Sequence, residues 1–228
     1  MANPKFKKQV NTNTRRIKQL MKDVRNDVQR RTQNSKDLEV WLEKLAPYHS
    51  ENCFTTGIHS VEALAIVKQI SENAVRISKL PPGANAEIVK GIMSESCMTY
   101  VTRMGEDMKT ELRKIAVESY NNKLAPKETA QVMADKIDVI SKTRAECIAR
   151  TETMRAANLS NLVAARENGA KSYTVTRDPN ACEHCVEVYG EEDDIIFDID
   201  DTDNFPPYHP NCRCTPRFST KTVEERGG

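Results

Sequence analysis

At 228 residues and 25.8 kDa, with 38% hydrophobic, 29% charged and only 5% aromatic side chains, the chain has material for one or two helical domains with thin cores. That composition suits neither a sandwich nor a barrel, and no apolar run approaches membrane-spanning length. The net charge of +1 hides a segregation: before residue 35 ten Lys and Arg face only Asp23 and Asp27, whereas Glu191 to Asp203 is densely acidic.

Residues 1–35 are predicted to form a basic N-terminal arm. Val10, Ile17, Leu20, Met21, Val24 and Val28 give a narrow apolar stripe at helical steps on an otherwise cationic helix. Such a helix buries little by itself, so the expectation is either a mobile, solvated arm or one docked on a partner. Lys7, Lys8, Arg15, Arg16, Lys18, Arg30 and Arg31 are the candidate contacts to DNA, on charge alone. Phe6 is the sole aromatic residue there, which speaks against base stacking and hence against single-strand recognition.

Residues 36–142 are predicted to be a helical body. Leu38, Val40, Trp41, Leu42 and Leu45 start an apolar helix closed by Pro47, with Trp41 as a packing anchor. His49, Cys53 and His59 follow at spacings too wide for a chelating pair and read as loop residues. A periodic segment from Ser60 ends before Pro81-Pro82-Gly83. Another begins near Ala86, is expected to break or kink at Gly105, and continues to Tyr120. Asn121 to Ala125 reads as a turn, and Pro126 suits the first position of the next helix.

Thr143-Arg-Ala-Glu146 has the order of a capping box, so a new helix is expected from Thr143 to Glu167, ended by Gly169. Three extended pieces should follow: Ser172 to Arg177, Ile195 to Ile199, and Cys212 to Phe218. Between them stand Cys182-Glu-His-Cys185 and His209-Pro-Asn-Cys212-Arg-Cys214. A CxxC pair completed by a second cluster two dozen residues on is the spacing of a structural zinc site. Five candidates, Cys182, Cys185, His209, Cys212 and Cys214, compete for four places, and the sequence leaves the choice open. Four protein ligands close the shell to a reacting water, so the Zn2+ would hold the fold rather than catalyse. Free thiols or two disulfides are the alternatives, but clustered exposed thiols oxidise unless something occupies them, and disulfides need an oxidising compartment, whereas Met-Ala-Asn-Pro-Lys-Phe-Lys-Lys does not read as a signal peptide.

The run Phe205-Pro-Pro-Tyr-His209-Pro-Asn-Cys212-Arg-Cys214, with Asp178-Pro-Asn-Ala-Cys182 before it, resembles the C-terminal module of the phage minor head protein family, also called the head morphogenesis or Mu F-like family. The likeness takes in Ile148-Ala-Arg150-Thr151-Glu152, Asn158 and Gly169 and covers roughly residues 124–217. Tyr173 stands where family members often carry Trp. The resemblance implies a minor capsid protein of a tailed phage, assembled in the bacterial host cytoplasm. It would act inside the virion with the portal and with major capsid or scaffold proteins in head assembly and DNA delivery.

The expected architecture is therefore mainly α with a small zinc-stapled β module at the C-terminus, an α+β chain. The head-morphogenesis module would occupy 143–218 and a flexible tail 219–228. Arg150, Glu152 and Asn158 admit two readings. A transferase resembling an ADP-ribosyltransferase could use Arg150-Thr151-Glu152, but no nucleotide-cradling glycine pattern accompanies the triplet. The resemblance favours structural polar groups that pin the metal loop to the helix, and no enzyme is expected. A zinc-containing protein that binds double-stranded DNA through its basic arm is the alternative. Asp198, Asp200, Asp201 and Asp203 could hold magnesium for a nuclease, but read more simply as a solvated loop.

Overall fold

A computed structural model describes residues 4–34, 40, 43–45, 59–77, 86–191 and 194–227, without the side chains of 67, 71, 74–77 and 86–102. Leu38, Trp41, Leu42, Pro47, His49 and Cys53 lie outside the described residues. The order is α1 (Pro4–Thr32), α2 (Ser60–Ile77), α3 (Ala86–Asn121), α4 (Pro126–Glu167), β1 (Ser172–Thr176), α5 (Glu183–Tyr189), β2 (Phe197–Asp198) and β3 (Thr215–Ser219). A single 3-10 turn, Glu224–Arg226, follows. The chain divides into two compact units, one of residues 1–68 and 95–149 and one of 69–94 and 150–228.

In the first unit the basic segment is helical over Pro4–Thr32, and its apolar stripe is docked within its own chain. Val10, Ile17, Leu20, Met21, Val24 and Val28 are buried, as the apolar spacing dictates. Arg25 Nε lies 2.8 Å from Asp138 Oδ2, and Gln29 Nε2 donates to Gln131 Oε1 at 3.3 Å, so α1 runs antiparallel to α4. Lys136 with Glu111 and Arg144 with Asp107, both at 2.8 Å, set α3 antiparallel to α4 as well. Met104, Met108, Leu112, Met133, Ala134 and Ile137 are buried in this unit. The unbranched methionines fill gaps between helices that carry few aromatic groups.

Two helix boundaries differ from expectation. α3 continues through Gly105 without a break in its helical assignment. No helix starts at Thr143: α4 is one 42-residue helix. Pro126 occupies its first position, and Glu128 Oε2 accepts the Ala125 N–H at 2.9 Å. A capping signature acts only where backbone N–H groups lack carbonyl partners. At Thr143 the helix is already running, and its hydroxyl donates back to Val139 O at 2.9 Å instead.

The end of α4 follows the sequence. Gly169 sits at φ 78°, with Gly169 N–H on Arg166 O at 3.0 Å and Ala170 N–H on Ala165 O at 2.9 Å. This paired closure needs a left-handed residue, which glycine supplies without Cβ strain.

The second unit contains a three-stranded antiparallel sheet in the order β2-β1-β3. Tyr173 of β1 pairs with Phe197 on one side and Phe218 on the other. Its ring, fully buried, stacks on Phe197 at 5.1 Å and meets Phe205 edge-on at 5.4 Å. Of the expected extended piece around Ile195 to Ile199, only Phe197–Asp198 pairs as a strand. The tail expected to be loose turns back: Arg226 Nη1 donates to Ser172 Oγ at 3.2 Å, and Glu225 Oε2 accepts the Thr222 N–H at 2.8 Å.

Gly190 ends α5 at φ 80°, and a Cβ there would sit 2.2 Å from Asp194 Oδ1. Gly190→Ala is therefore expected to cost more than about 1 kcal/mol, from backbone strain and displacement of Asp194. Hydrogen exchange over α5 is the readout; unchanged protection would contradict it.

Candidate metal centre

The five candidate ligands come from two pieces of chain that meet inside the second unit. Asp178-Pro179-Asn180 forms the first bend, in which Asp178 Oδ1 accepts the Asn180 N–H at 2.9 Å and Asp178 O accepts the Ala181 N–H at 2.9 Å. Cys182 then caps α5, its carbonyl accepting from Cys185 and Val186 at 2.9 and 3.1 Å. The CxxC is thus the first turn of a helix, which brings Cys182 and Cys185 to one side. His184 between them is exposed, with Nδ1 3.6 Å from Glu187 and its ring near Tyr208.

The second piece is a tight turn. Cys212 N–H donates to His209 O at 3.1 Å, and Asn211 takes φ 64°, which an asparagine tolerates better than most residues. This turn places His209 Nε2 3.2 Å from Cys182 Sγ and 3.0 Å from Cys185 Sγ, while Cys212 Sγ lies 3.8 Å from Cys185 Sγ. His209 Nδ1 is 2.7 Å from Pro210 O. A proton on Nδ1 donated to that carbonyl leaves the Nε2 lone pair facing the sulfurs, the arrangement that orients metal-bound imidazoles.

Two triplets result, Cys182, Cys185 and His209, and Cys185, Cys212 and Cys214, with Cys185 common to both. A tetrahedron with metal–sulfur bonds of about 2.3 Å has edges of about 3.8 Å, so the Cys185 to Cys212 separation fits a zinc thiolate site. Cys147, Cys182, Cys185, Cys212 and Cys214 form no disulfide. A cavity of about 270 Å³ opens over the cluster, walled by Cys182, Cys185, His209 and Cys212.

Cys185, Cys212 and Cys214 belong to the aromatic core with Leu162, Tyr173, Tyr189, Phe197 and Phe205. Burial pushes the Cys185 thiol up to about 12. Hydrogen bonding from the Cys214 thiol draws Cys212 down to about 5, and the same bond raises Cys214. Hydrogen bonding among the three sulfurs thus favours loss of the Cys212 proton ahead of those of Cys185 and Cys214.

Polar residues of α4 reach the second piece of chain. Asn158, buried, donates both amide protons across the unit, to Pro206 O at 3.0 Å and Cys214 O at 3.1 Å. Thr151 Oγ1 accepts the Asn211 N–H at 2.9 Å, so the helix holds the histidine turn at a second point that the sequence reading missed. A hydroxyl between two charged residues was the available signal. Glu152 is also buried, with Oε2 3.7 Å from Arg155 Nε, and Arg150 is half-buried.

Elsewhere, Asp200 pairs with Arg166 at 2.8 Å, and Asp198 and Asp201 cap backbone N–H groups of their own loop. His59 is half-buried in the first unit, where burial lowers its pKa. On α1, Lys7, Lys8, Arg15, Lys18 and Arg30 are exposed and Arg16 and Arg31 half-buried. Asp27 pairs with both Arg30 and Arg31, the latter at 2.6 Å.

Residues 107–217 match the family model described as Phage Mu protein F like protein. The match begins within α3, upstream of the residues that carried the resemblance, and takes in α4, the sheet and every candidate ligand. No curated protein and no solved structure matches the chain.

Proposed function

We propose, from the place of residues 107–217 in the Phage Mu protein F like family, that this chain is a minor head-morphogenesis protein of a tailed phage whose C-terminal unit is held by one structural Zn2+. The family is one of phage head assembly, and the match spans the folded segment that carries the cysteines. Portal association, neighbouring capsid or scaffold proteins, a portal-proximal place inside the virion and contact with packaged double-stranded DNA are the finer parts of this reading. No helix of the described residues is long and apolar enough to cross a membrane.

The observation that carries the metal assignment is the convergence of His209 Nε2 with Cys182 and Cys185, beside a Cys185 to Cys212 edge of tetrahedral length. Cys182, Cys185, His209 and Cys212 make the proposed shell. Cys214 stands behind it, with its thiol on Cys212. Such a shell is closed to a reacting water, and the aromatic core beside it is small, so the ion's role is to stabilise the unit.

Elemental analysis of the full chain is expected to find one zinc per chain. It should persist in Cys214→Ala and be lost in His209→Ala; the reverse pattern would replace His209 by Cys214 in the shell. For the head assignment, the tagged chain co-expressed with the portal protein of the same phage should co-purify with portal rings. Failure to do so, with the chain folded and zinc-loaded, would remove the portal partnership. The alternative of DNA recognition by the zinc unit is disfavoured by exposed Glu183, Glu187 and Glu191 on and just after α5.

A further inference from the structure

α1 has two faces of opposite character. One is the buried stripe from Val10 to Val28; the other is charged and turned to solvent. At about 100° per residue, Lys7, Lys8, Arg15, Lys18 and Lys22 fall within an arc of roughly 100° that lies outside the buried stripe. None of these five forms an ion pair with a described residue, in contrast to Arg25, Arg30 and Arg31, which aspartates neutralise. Neither acid of the helix enters the arc. Asp23 lies on its flank, where Gln19 Nε2 donates to it at 3.0 Å, and Asp27 is held by the two arginines. Exposed Asn11, Gln19 and Asn26 supply amides between the cations.

We propose that this face of α1 binds the phosphate backbone of double-stranded DNA without regard to base sequence, using Lys7, Lys8, Arg15, Lys18 and Lys22. The assignment deepens the head-protein reading, but it rests on charge and helix geometry that exist independently of it. From Lys7 to Lys22 the stripe extends about 22 Å at 1.5 Å per residue. A duplex presents one charge per about 1.7 Å of axis, so its backbone offers more phosphates over that length than the stripe has cations. The docked inner face fixes the helix, so the cations form a set surface with no ordering of the backbone required on contact.

The composition of the face selects among polyanions and partners. It has no exposed apolar side chain of the kind that anchors the centre of a protein interface. Phe6 is half-buried and no other aromatic lies on the helix, so stacking on unpaired bases has no platform. Lysine, arginine and amide groups are what phosphate contact requires. Relative to the sequence-based set, Lys22 enters, half-buried Arg16 leaves because it lies outside the arc, and Arg30 and Arg31 leave because Asp27 pairs with both.

The test is fluorescence anisotropy of the full chain with two unrelated duplexes of about 30 base pairs, across a salt series. Both duplexes should bind with the same affinity, and log K against log salt should have a slope of about −4.5 for five phosphates. Changing all five residues to Gln should weaken binding more than about 100-fold and flatten the slope, with helical content by circular dichroism unchanged. Lys127→Gln with Lys142→Gln, which removes exposed lysines from α4, should leave binding near the parent value. Absence of binding by the folded parent, a five-Gln variant that binds as well as the parent, or salt-sensitive self-association without DNA binding would each overturn the proposal. None of these results touches the portal co-purification.

Discussion

Cys185→Ser is expected to strip the chain of zinc and to loosen residues 170–218 while the helices of the first unit stay folded. Cys185 is the sulfur common to both triplets, and it is 1% exposed, set in the core beside Tyr189 and Phe197. A serine there offers a poor ligand for zinc and leaves a hydroxyl in an apolar pocket. Structural zinc contributes about 10–16 kcal/mol in small metal-held peptides, comparable with the whole stability of an ordinary domain. The sheet has two five-residue strands and a two-residue one, so little else replaces that contribution. Elemental analysis together with hydrogen exchange read separately over β1 to β3 and α1 to α3 tests both halves. One zinc retained per chain would remove Cys185 from the shell; loss of zinc with full protection of the strands would refute the stabilising role.

The same substitution series has a pH signature. Binding must displace at least the Cys185 proton, because burial holds that thiol up to about 12 without metal. Each proton released makes the apparent zinc affinity rise about tenfold per pH unit, so affinity should climb steadily from about pH 6 to about pH 8. Cys147→Ser, at a half-buried position of α4 in the first unit, should leave that curve unmoved.

The parts of this molecule that announce themselves in one dimension are those where a local constraint acts alone. Pro126 at a helix start, Gly169 at a helix end and the two cysteine clusters each obey geometry set within a few residues, and each lies where that geometry puts it. The apolar stripe of α1 was legible too, but what it packs on was not. A stripe records that a face is buried, whereas the covering surface, here reached through Asp138 and Gln131, lies more than a hundred residues away. Thr143 misled for a related reason, since its capping pattern is only a potential and the continuing helix left it nothing to cap. The reach of the polar residues of α4 was likewise beyond the sequence. Nothing in one dimension says that Thr151 and Asn158 both meet the loop that carries His209, Cys212 and Cys214.

Asn158→Ala is expected to destabilise the second unit by about 2–4 kcal/mol, because two buried carbonyls lose their donor at once. The amide is 2% exposed, and its two protons go to Pro206 O, just before the histidine turn, and Cys214 O, just beyond it. Alanine creates a cavity as well as two orphaned acceptors, so the loss exceeds that of one ordinary hydrogen bond. Asn158→Asp separates the donor's role from its volume. At neutral pH its carboxylate would face two carbonyl oxygens and carry a buried charge, making it worse than alanine. The unfavourable contacts raise the folded pKa of the new carboxyl above the unfolded value of about 3.9, so the aspartate variant should gain stability relative to the parent as pH falls through the folded value. Once protonated, the carboxyl can donate one of the two lost bonds. Arg166→Ala is the surface comparison: its partner Asp200 is 82% exposed, and its removal should cost under about 1 kcal/mol. Hydrogen exchange of the β1 and β3 amides in urea, at neutral and acid pH with zinc present, measures all three. If Asn158→Ala lies within about 0.5 kcal/mol of the parent, the two carbonyls find water instead, and the amide is not what fastens the loop to the helix.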